Sequence, residues 1–175
     1  NYIYETVPNP QVGSIGGEWA VLGLARSGVE IPEDYYSNYY NTVSEYVKKC
    51  SGNLSDSKYT EYSRVILAIT SIGKNPANVA GYNLLIPLGD YEKTIYQGIN
   101  GSVWALLALD SNGYEIPKNP NAKIQATREL YINHILENQV PGGGWAFFGD
   151  TADPDITGMA LQALSKYQDN AEVKS

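Results

Sequence analysis

The chain has very little of the residues that build disulfides and metal centres. It contains one cysteine, Cys50, and one histidine, His134. A single cysteine excludes an internal disulfide, and a single histidine excludes a metal site made of several imidazoles. Because both fall in amphipathic segments, we interpret them as ordinary helix residues.

Long apolar runs and an excess of basic residues are also missing. No run approaches the roughly 18 apolar residues that a membrane-spanning helix needs. With 12 Lys and Arg against 19 Asp and Glu, the net charge is −7, so the electrostatic footprint of a nucleic-acid-binding protein is absent. The 175 residues are 43% apolar and 18% charged, which favours one globular domain over residues 1–175.

Four segments of the chain repeat one apolar helical pattern, roughly every 45 residues. The equivalent positions are Leu24, Ile69, Leu109 and Leu164. The residue before each of them is small, which would let neighbouring helices approach closely: Gly23, Ala68, Ala108 and Ala163. In three of the four segments a glycine follows four residues later, as at the end of many helices.

Amphipathic helices are predicted between these apolar ones. Residues 34–50 and 121–138 have apolar residues at three- and four-residue steps. Their predicted buried residues are Tyr36, Tyr39, Tyr40, Val43 and Val47 in the first, and Ile124, Leu130, Tyr131, Ile135 and Leu136 in the second. Proline and glycine predict short or broken helices over 74–98, and loops over 51–56, 113–120 and 140–153.

The alternation of inner apolar and outer amphipathic helices predicts an all-α fold without strands, arranged as an α/α toroid. Residues 137–145, ENQVPGGGW, resemble the Gln–Trp repeat of squalene and hopene cyclases. DITGMALQAL (155–164) is similar to a helix start of that superfamily, which prenyltransferase β subunits and vitamin B12 carriers such as transcobalamin share. VGSIGGEWAVLGLARSG (12–28) and GINGSVWALLALDSNGYEIP (98–117) look like toroid domains of extracellular proteins of Gram-positive gut bacteria. We expect about seven or eight helices in an incomplete ring.

The resemblance to class II terpene cyclases offers an enzymatic alternative. Their Asp-x-Asp-Asp motif, in which the middle aspartate protonates an alkene, matches Asp153, Pro154, Asp155 and Ile156. Asp155 would be the general acid and Asp153 its neighbour, but the last aspartate of the motif is Ile156. The zinc ligands of the prenyltransferases have no match. We therefore favour a non-catalytic protein.

Helix capping is the simplest role for these acids. Nine residues before the repeated Leu or Ile stand Ile15, Thr60, Asn100 and Asp155, with Ser14 one position earlier in the first repeat. Thr, Asn and Asp are N-capping residues. Asp153 followed by Pro154 is a second option for the last helix.

The same helix starts could also form the rim of a ligand site. Trp19, Arg64, Trp104 and Met159 share an equivalent position one to two turns deeper, although packing is the favoured role of Met159. The predicted ligand-binding residues are Trp19, Asn100, Trp104, Trp145, Asp153, Asp155 and Thr157. The resemblance to vitamin B12 carriers suggests cobalamin as one ligand, and exposed tryptophans and tyrosines would also suit a glycan or peptide. Calcium at Asp150, Asp153 and Asp155 is a further option, although the spacing lacks the EF-hand glycine and bidentate Glu.

These observations predict a ligand-binding or adhesion module of a secreted or surface-attached bacterial protein, without a resident cofactor or metal. A terpene-cyclase-type enzyme and a structural scaffold are the alternatives. Because the chain begins at Asn1 without Met or signal peptide, we expect a piece of a longer protein. The resemblance implies about six helical hairpins for a closed ring, and the four inner helices would supply fewer than that. The face with Met159, Leu161 and Leu164 should then lack a neighbour, so we expect self-association.

Overall fold

The computed structural model describes residues 2–14 and 16–174. In these residues it has nine α-helices and no β-strand, which confirms the all-α prediction. The longer helices are α2 (Gly17–Arg26), α3 (Glu33–Lys49), α4 (Thr60–Ser71), α6 (Ile99–Asp110), α7 (Arg128–Glu137) and α8 (Pro154–Leu164). The short ones are α1 (Tyr2–Thr6), α5 (Tyr91–Ile95) and α9 (Ala171–Lys174), with 3-10 turns at Pro87–Gly89 and Ser165–Tyr167. These short helices explain why the number exceeds the predicted seven or eight.

The four repeated segments form α2, α4, α6 and α8. These helices pack in chain order, α2 on α4, α4 on α6 and α6 on α8. The small residues before the repeated Leu or Ile are buried at Ala68, Ala108 and Ala163, so they allow close helix contact as predicted. Gly23 is the exception, because it is exposed and no atom lies near the position of a Cβ.

The inner helices α4 and α6 end in the same way. Gly73 and Gly113 have φ angles of 73° and 63°, which is the left-handed conformation that glycine adopts at low cost. The next residue then donates its backbone N–H back to the repeated position, Lys74 to Ile69 and Tyr114 to Leu109, each at 2.8 Å. This is the Schellman arrangement, and it confirms that these glycines end the helices.

The outer helix α3 lies within one residue of its predicted bounds. Its buried stripe consists of Tyr35, Tyr39, Val43 and Val47. Tyr36 and Tyr40, which were also predicted to be buried, are half-buried and pack against the edge of the core. The stripe is therefore shifted by part of a turn relative to the prediction.

The outer helix α7 begins later than predicted, at Arg128 rather than at 121. The hydroxyl of Thr127 accepts a hydrogen bond from the backbone N–H of Leu130 at 3.1 Å and caps the helix. The preceding residues are extended, with Gln125 paired to Asp90. Ile124 is 44% exposed, so its predicted burial is wrong. Of the other predicted residues Tyr131 and Ile135 are buried, whereas Leu130 and Leu136 are half-buried.

The connecting segments follow the pattern of prolines and glycines. The predicted broken region over 74–98 holds only the 3-10 turn Pro87–Gly89 and α5 before α6 begins. The predicted loops over 51–56, 113–120 and 140–153 contain no helix. None of the helices in the described residues is long and apolar enough to cross a lipid bilayer.

One face of α8 is partly open. Leu161 is 57% exposed, whereas Leu164 is 3% exposed and belongs to the core. Met159 is half-buried against that core. The expectation of an uncovered face is therefore correct for Leu161 and wrong for Leu164. Self-association and the arrangement of the inner helices as a ring stay predictions.

Candidate functional site

An open depression of about 1210 Å³ lies toward the C-terminal ends of the four inner helices. Its lining follows the repeat, because each repeat contributes residues spaced by three or four positions, and such residues lie on one face of a helix. The first level holds Trp19 and Trp104, the second Leu22, Leu67, Leu107 and Gln162, and the third Arg26, Ser71, Ser111 and Lys166. Apart from Gln162, the first two levels form an apolar and aromatic floor, and the third level forms a polar rim.

Trp19 and Trp104 form the aromatic part of this depression. Their ring centroids are 4.9 Å apart, and the ring planes are tilted by 51°. The two residues belong to α2 and α6, which are separated by α4 in the row of inner helices. The rings thus meet across the intervening helix and form one aromatic surface that spans three repeats.

A hydrogen-bond network holds one side of the rim in place. The Asp110 carboxylate accepts from Arg128 Nε at 2.9 Å and from the hydroxyl of Tyr167 at 2.6 Å. Arg128 also donates to the carbonyl of Tyr114 at 2.7 Å, and the Tyr114 hydroxyl lies 2.9 Å from that of Thr70. Burial raises the pKa of Tyr167, and its hydrogen bond to Asp110 raises that pKa further. Tyr167 therefore stays protonated and keeps donating.

The charged residues that line the depression are mostly basic. They are Arg26, Lys74 and Lys166, with Asp110 as the carboxylate among the described lining residues. The Lys166 ammonium donates to the backbone carbonyl of Asp110 at 2.5 Å. The Lys74 ammonium lies 5.3 Å from the centroid of the Tyr40 ring, a distance at which a cation is attracted to an aromatic face. The rim is thus basic in a chain of net charge −7.

Two predicted ligand-binding residues, Trp145 and Thr157, instead hold the loop before α8. Trp145 is 4% exposed, and its indole Nε1 donates to the carbonyl of Ile135 at 2.6 Å. Its backbone N–H donates to the hydroxyl of Thr157 at 2.9 Å. Both side chains are thus used inside the fold, and their contact with a ligand stays a prediction.

Asp153 and Asp155 lie at the start of α8. One Asp153 oxygen accepts from the backbone N–H groups of Asp155 and Ile156, at 2.8 and 3.0 Å. Asp153 is therefore the cap and Pro154 the first helical residue, so the second of the two capping options is correct. Asp155 is exposed. Neither aspartate lines the depression.

The other predicted caps occupy different positions. Tyr59 precedes α4, so Thr60 is its first residue. Gly98 precedes α6, so Asn100 is its second residue. The Ser14 hydroxyl donates to the carbonyl of Gln11 rather than capping α2, and Ile15 lies outside the described residues. Asn100 does not line the depression, and its side-chain oxygen is buried without a hydrogen-bond partner.

A buried acid near the start of α2 was not predicted. Glu18 is 1% exposed, and one of its oxygens accepts from the backbone N–H of Gly13 at 2.7 Å. Its other oxygen, the hydroxyl of Tyr39 and Nε of Arg64 are buried without partners. Burial raises the pKa of Tyr39, and Glu18 raises it further while Arg64 acts in the opposite direction. The first repeat alone has an acid at this position, which is the signal that the sequence offered.

His134 and Cys50 behave as helix residues. Nδ1 of His134 lies 2.8 Å from the buried hydroxyl of Ser102 and joins α7 to α6. Burial lowers the pKa of His134, against the effect of the Glu137 charge. Cys50 directly follows α3, and its thiol donates to the carbonyl of Val47. The two side chains thus serve helix packing and helix termination.

The calcium option finds no support in the arrangement of the acids. Within residues 2–14 and 16–174, no three His, Cys, Asp or Glu side chains come together as metal ligands would. Asp150, Asp153 and Asp155 therefore do not converge on one point.

No protein-family model, curated protein or solved structure matches this chain. The resemblance to toroid proteins therefore stays a prediction, and the function must be inferred from the geometry of the depression.

Proposed function

We propose that the chain is a non-catalytic binding module whose depression holds a saccharide, within a secreted or surface-attached adhesion protein. The observation that carries the proposal is the joined surface of Trp19 and Trp104 in a depression with a polar rim. We further propose that the inner helices form part of an α/α toroid. The contact between Trp19 of α2 and Trp104 of α6 supports this. Side chains of the first and third inner helices meet more easily when the row of helices curves toward the depression.

The side chains around the tryptophans match the chemistry of sugars. The C–H faces of a sugar ring pack against aromatic rings, and its hydroxyls exchange hydrogen bonds with amides and hydroxyls. Asn75 and Asn112 supply amides at the rim, and Gln162 supplies one below it. The hydroxyls of Ser71 and Ser111 donate to backbone carbonyls, so they can accept hydrogen bonds from a ligand. The volume of about 1210 Å³ exceeds the usual range for small-molecule sites of about 300–1,000 Å³. It suits several linked rings better than a single one.

The same geometry ranks the alternatives below saccharide binding. Protonation of an alkene needs a free acid in an apolar chamber, but Asp110 is engaged by Arg128 and Tyr167. Cobalamin was predicted to contact Trp19, Trp104 and the starts of the inner helices. The two tryptophans line the depression, whereas Asn100, Asp153 and Asp155 lie outside it. A scaffold without a ligand remains as the outcome if nothing binds.

Tryptophan fluorescence tests the proposal directly. We would titrate the chain with tetrasaccharides of neutral and acidic sugars, and separately with cobalamin and cobinamide. A tetrasaccharide should change the emission, because Trp19 and Trp104 line the depression whereas Trp145 is buried. Trp104→Ala should weaken binding at least roughly tenfold, as for a central aromatic contact.

The matched control is Phe148→Ala, which removes an 83% exposed aromatic ring outside the depression. It should leave the affinity unchanged. If no saccharide binds at millimolar concentration, the proposal fails and the scaffold alternative stands. A response to cobalamin but not to cobinamide or saccharides would support the carrier alternative instead.

A further inference from the structure

We infer that the depression prefers acidic saccharides over neutral ones, an inference that rests on the proposed function. The charged side chains of its lining carry it. Arg26, Lys74 and Lys166 are cations, whereas the carboxylate of Asp110 is paired with Arg128 and hydrogen-bonded to Tyr167. A bound ligand therefore meets unpaired positive charge.

The positive charge of this lining is unexpected from the composition of the chain. The whole sequence has 12 basic residues against 19 acidic ones, so a patch drawn at random would carry more acids than bases. The three cations also come from three different repeats. Arg26 ends α2, Lys74 follows α4 and Lys166 follows α8. They thus surround the depression on several sides instead of forming one local run.

Contacts within the protein position two of these cations. Lys166 is bonded to the carbonyl of Asp110, and Lys74 lies over the ring of Tyr40. Neither contact neutralises the ammonium, because a carbonyl and an aromatic ring carry no net charge. A carboxylate on a sugar ring that packs against Trp19 or Trp104 would add a favourable Coulomb interaction with the rim. At an exposed rim this attraction is screened over roughly 8–10 Å by salt, so acidic ligands should bind more weakly as salt is added.

The test compares an acidic ligand with an uncharged ester of the same sugar. Tetragalacturonate and its methyl ester have the same rings and length, but the ester has no carboxylates. By calorimetry in calcium-free buffer, the acid should bind about fivefold or more tightly than the ester, which is what two exposed charge pairs supply. The double variant Arg26→Gln/Lys74→Gln should lower the ratio of the two affinities, because two of the three rim cations are lost, and the affinity for the acid should fall more than the affinity for the ester.

The control variant is Lys49→Gln/Lys58→Gln, which lowers the net charge equally with two exposed lysines outside the depression. It should keep the preference. Equal binding of acid and ester would overturn the inference while leaving the saccharide proposal intact. A preference of unchanged size in the rim variant, or one that falls equally in the control, would overturn the role of the rim. Absence of binding by both ligands and by neutral tetrasaccharides would overturn the proposed function itself.

Discussion

The two ends of the inner helices use their polar side chains in different ways. At the N-terminal ends several polar side chains bond within the fold, as in the Ser102–His134 pair, the Thr157–Trp145 pair and the Asp153 cap. At the C-terminal ends polar side chains line an open depression. The difference shows that a cluster of polar residues at a helix start says more about folding than about ligands.

The chemistry of helix ends explains this asymmetry. The first backbone N–H groups of a helix have no partner within it, so they recruit side-chain oxygens. At the C-terminal ends of α4 and α6 the turn through Gly73 and Gly113 satisfies carbonyls with backbone N–H groups. The hydroxyls of Ser71 and Ser111 also donate to the carbonyls of Ala68 and Ala108, so the side chains offered to a ligand at these ends are mainly the amides and cations of the rim.

The largest effect in this comparison is expected for Trp145, which lies in the loop before the N-terminal end of α8. Trp145→Ala should lower the free energy of unfolding by about 3–5 kcal/mol, because it removes a large buried side chain and leaves a cavity. Urea denaturation followed by circular dichroism would measure the change. Trp104→Ala in the depression should cost much less, since Trp104 is half-buried.

Phe148→Ala gives the baseline for losing an aromatic ring in the same loop. It should change the stability by no more than about 0.5 kcal/mol, as expected of exposed positions. Equal losses for Trp145→Ala and Phe148→Ala would contradict the buried position of Trp145.

A smaller effect is expected at the start of α8, where Asp153 and Asp155 can be compared. Asp153→Ala should lower the free energy of unfolding by about 1 kcal/mol, because two backbone N–H groups lose their acceptor. Asp155→Ala should cost only a few tenths of a kcal/mol, through the lost interaction with the helix dipole. A larger loss for Asp155 in the same urea experiment would reverse the assignment of the cap.

The repeat pattern was enough to predict the inner helices and the two tryptophans of the depression. One apolar position packs in the same way in each repeat: Leu24, Ile69, Leu109 and Leu164. Aligning the repeats at this position therefore also aligns the residues on the remaining faces of the helices. Three positions after Trp19, Arg64 and Trp104, the same alignment reaches Leu22, Leu67 and Leu107, and four positions later it reaches the rim. The sequence analysis named the two tryptophans but not these leucines or the rim.

What the sequence did not reveal was the end at which the depression opens. Thr60, Asn100 and Asp155 suggested the helix starts because they are polar and repeated. Whether such residues face a ligand or their own backbone depends on the loops that precede the helices, such as the one that Trp145 holds. Likewise, the late start of α7 depends on the pairing of Gln125 with Asp90, which is far along the chain and overrides the local helical pattern.

The smallest effect concerns His134, whose contact with Ser102 joins α7 to the N-terminal part of α6. Burial lowers the pKa of His134 below its ordinary value of 6.5. The unfolded chain thus binds the proton at higher pH than the folded chain does. The contribution of neutral His134 to the free energy of unfolding should be full above about pH 6.5 and should decline as the pH falls below that value. His134→Asn keeps a hydrogen-bonding group near Nδ1 but does not titrate, so it should remove this part of the pH dependence. Urea denaturation between pH 7.5 and 5.0 would compare the two chains, with the other titrating groups common to both. If the chain with His134 loses no more stability than the variant over this range, the imidazole is not held in its neutral form by burial.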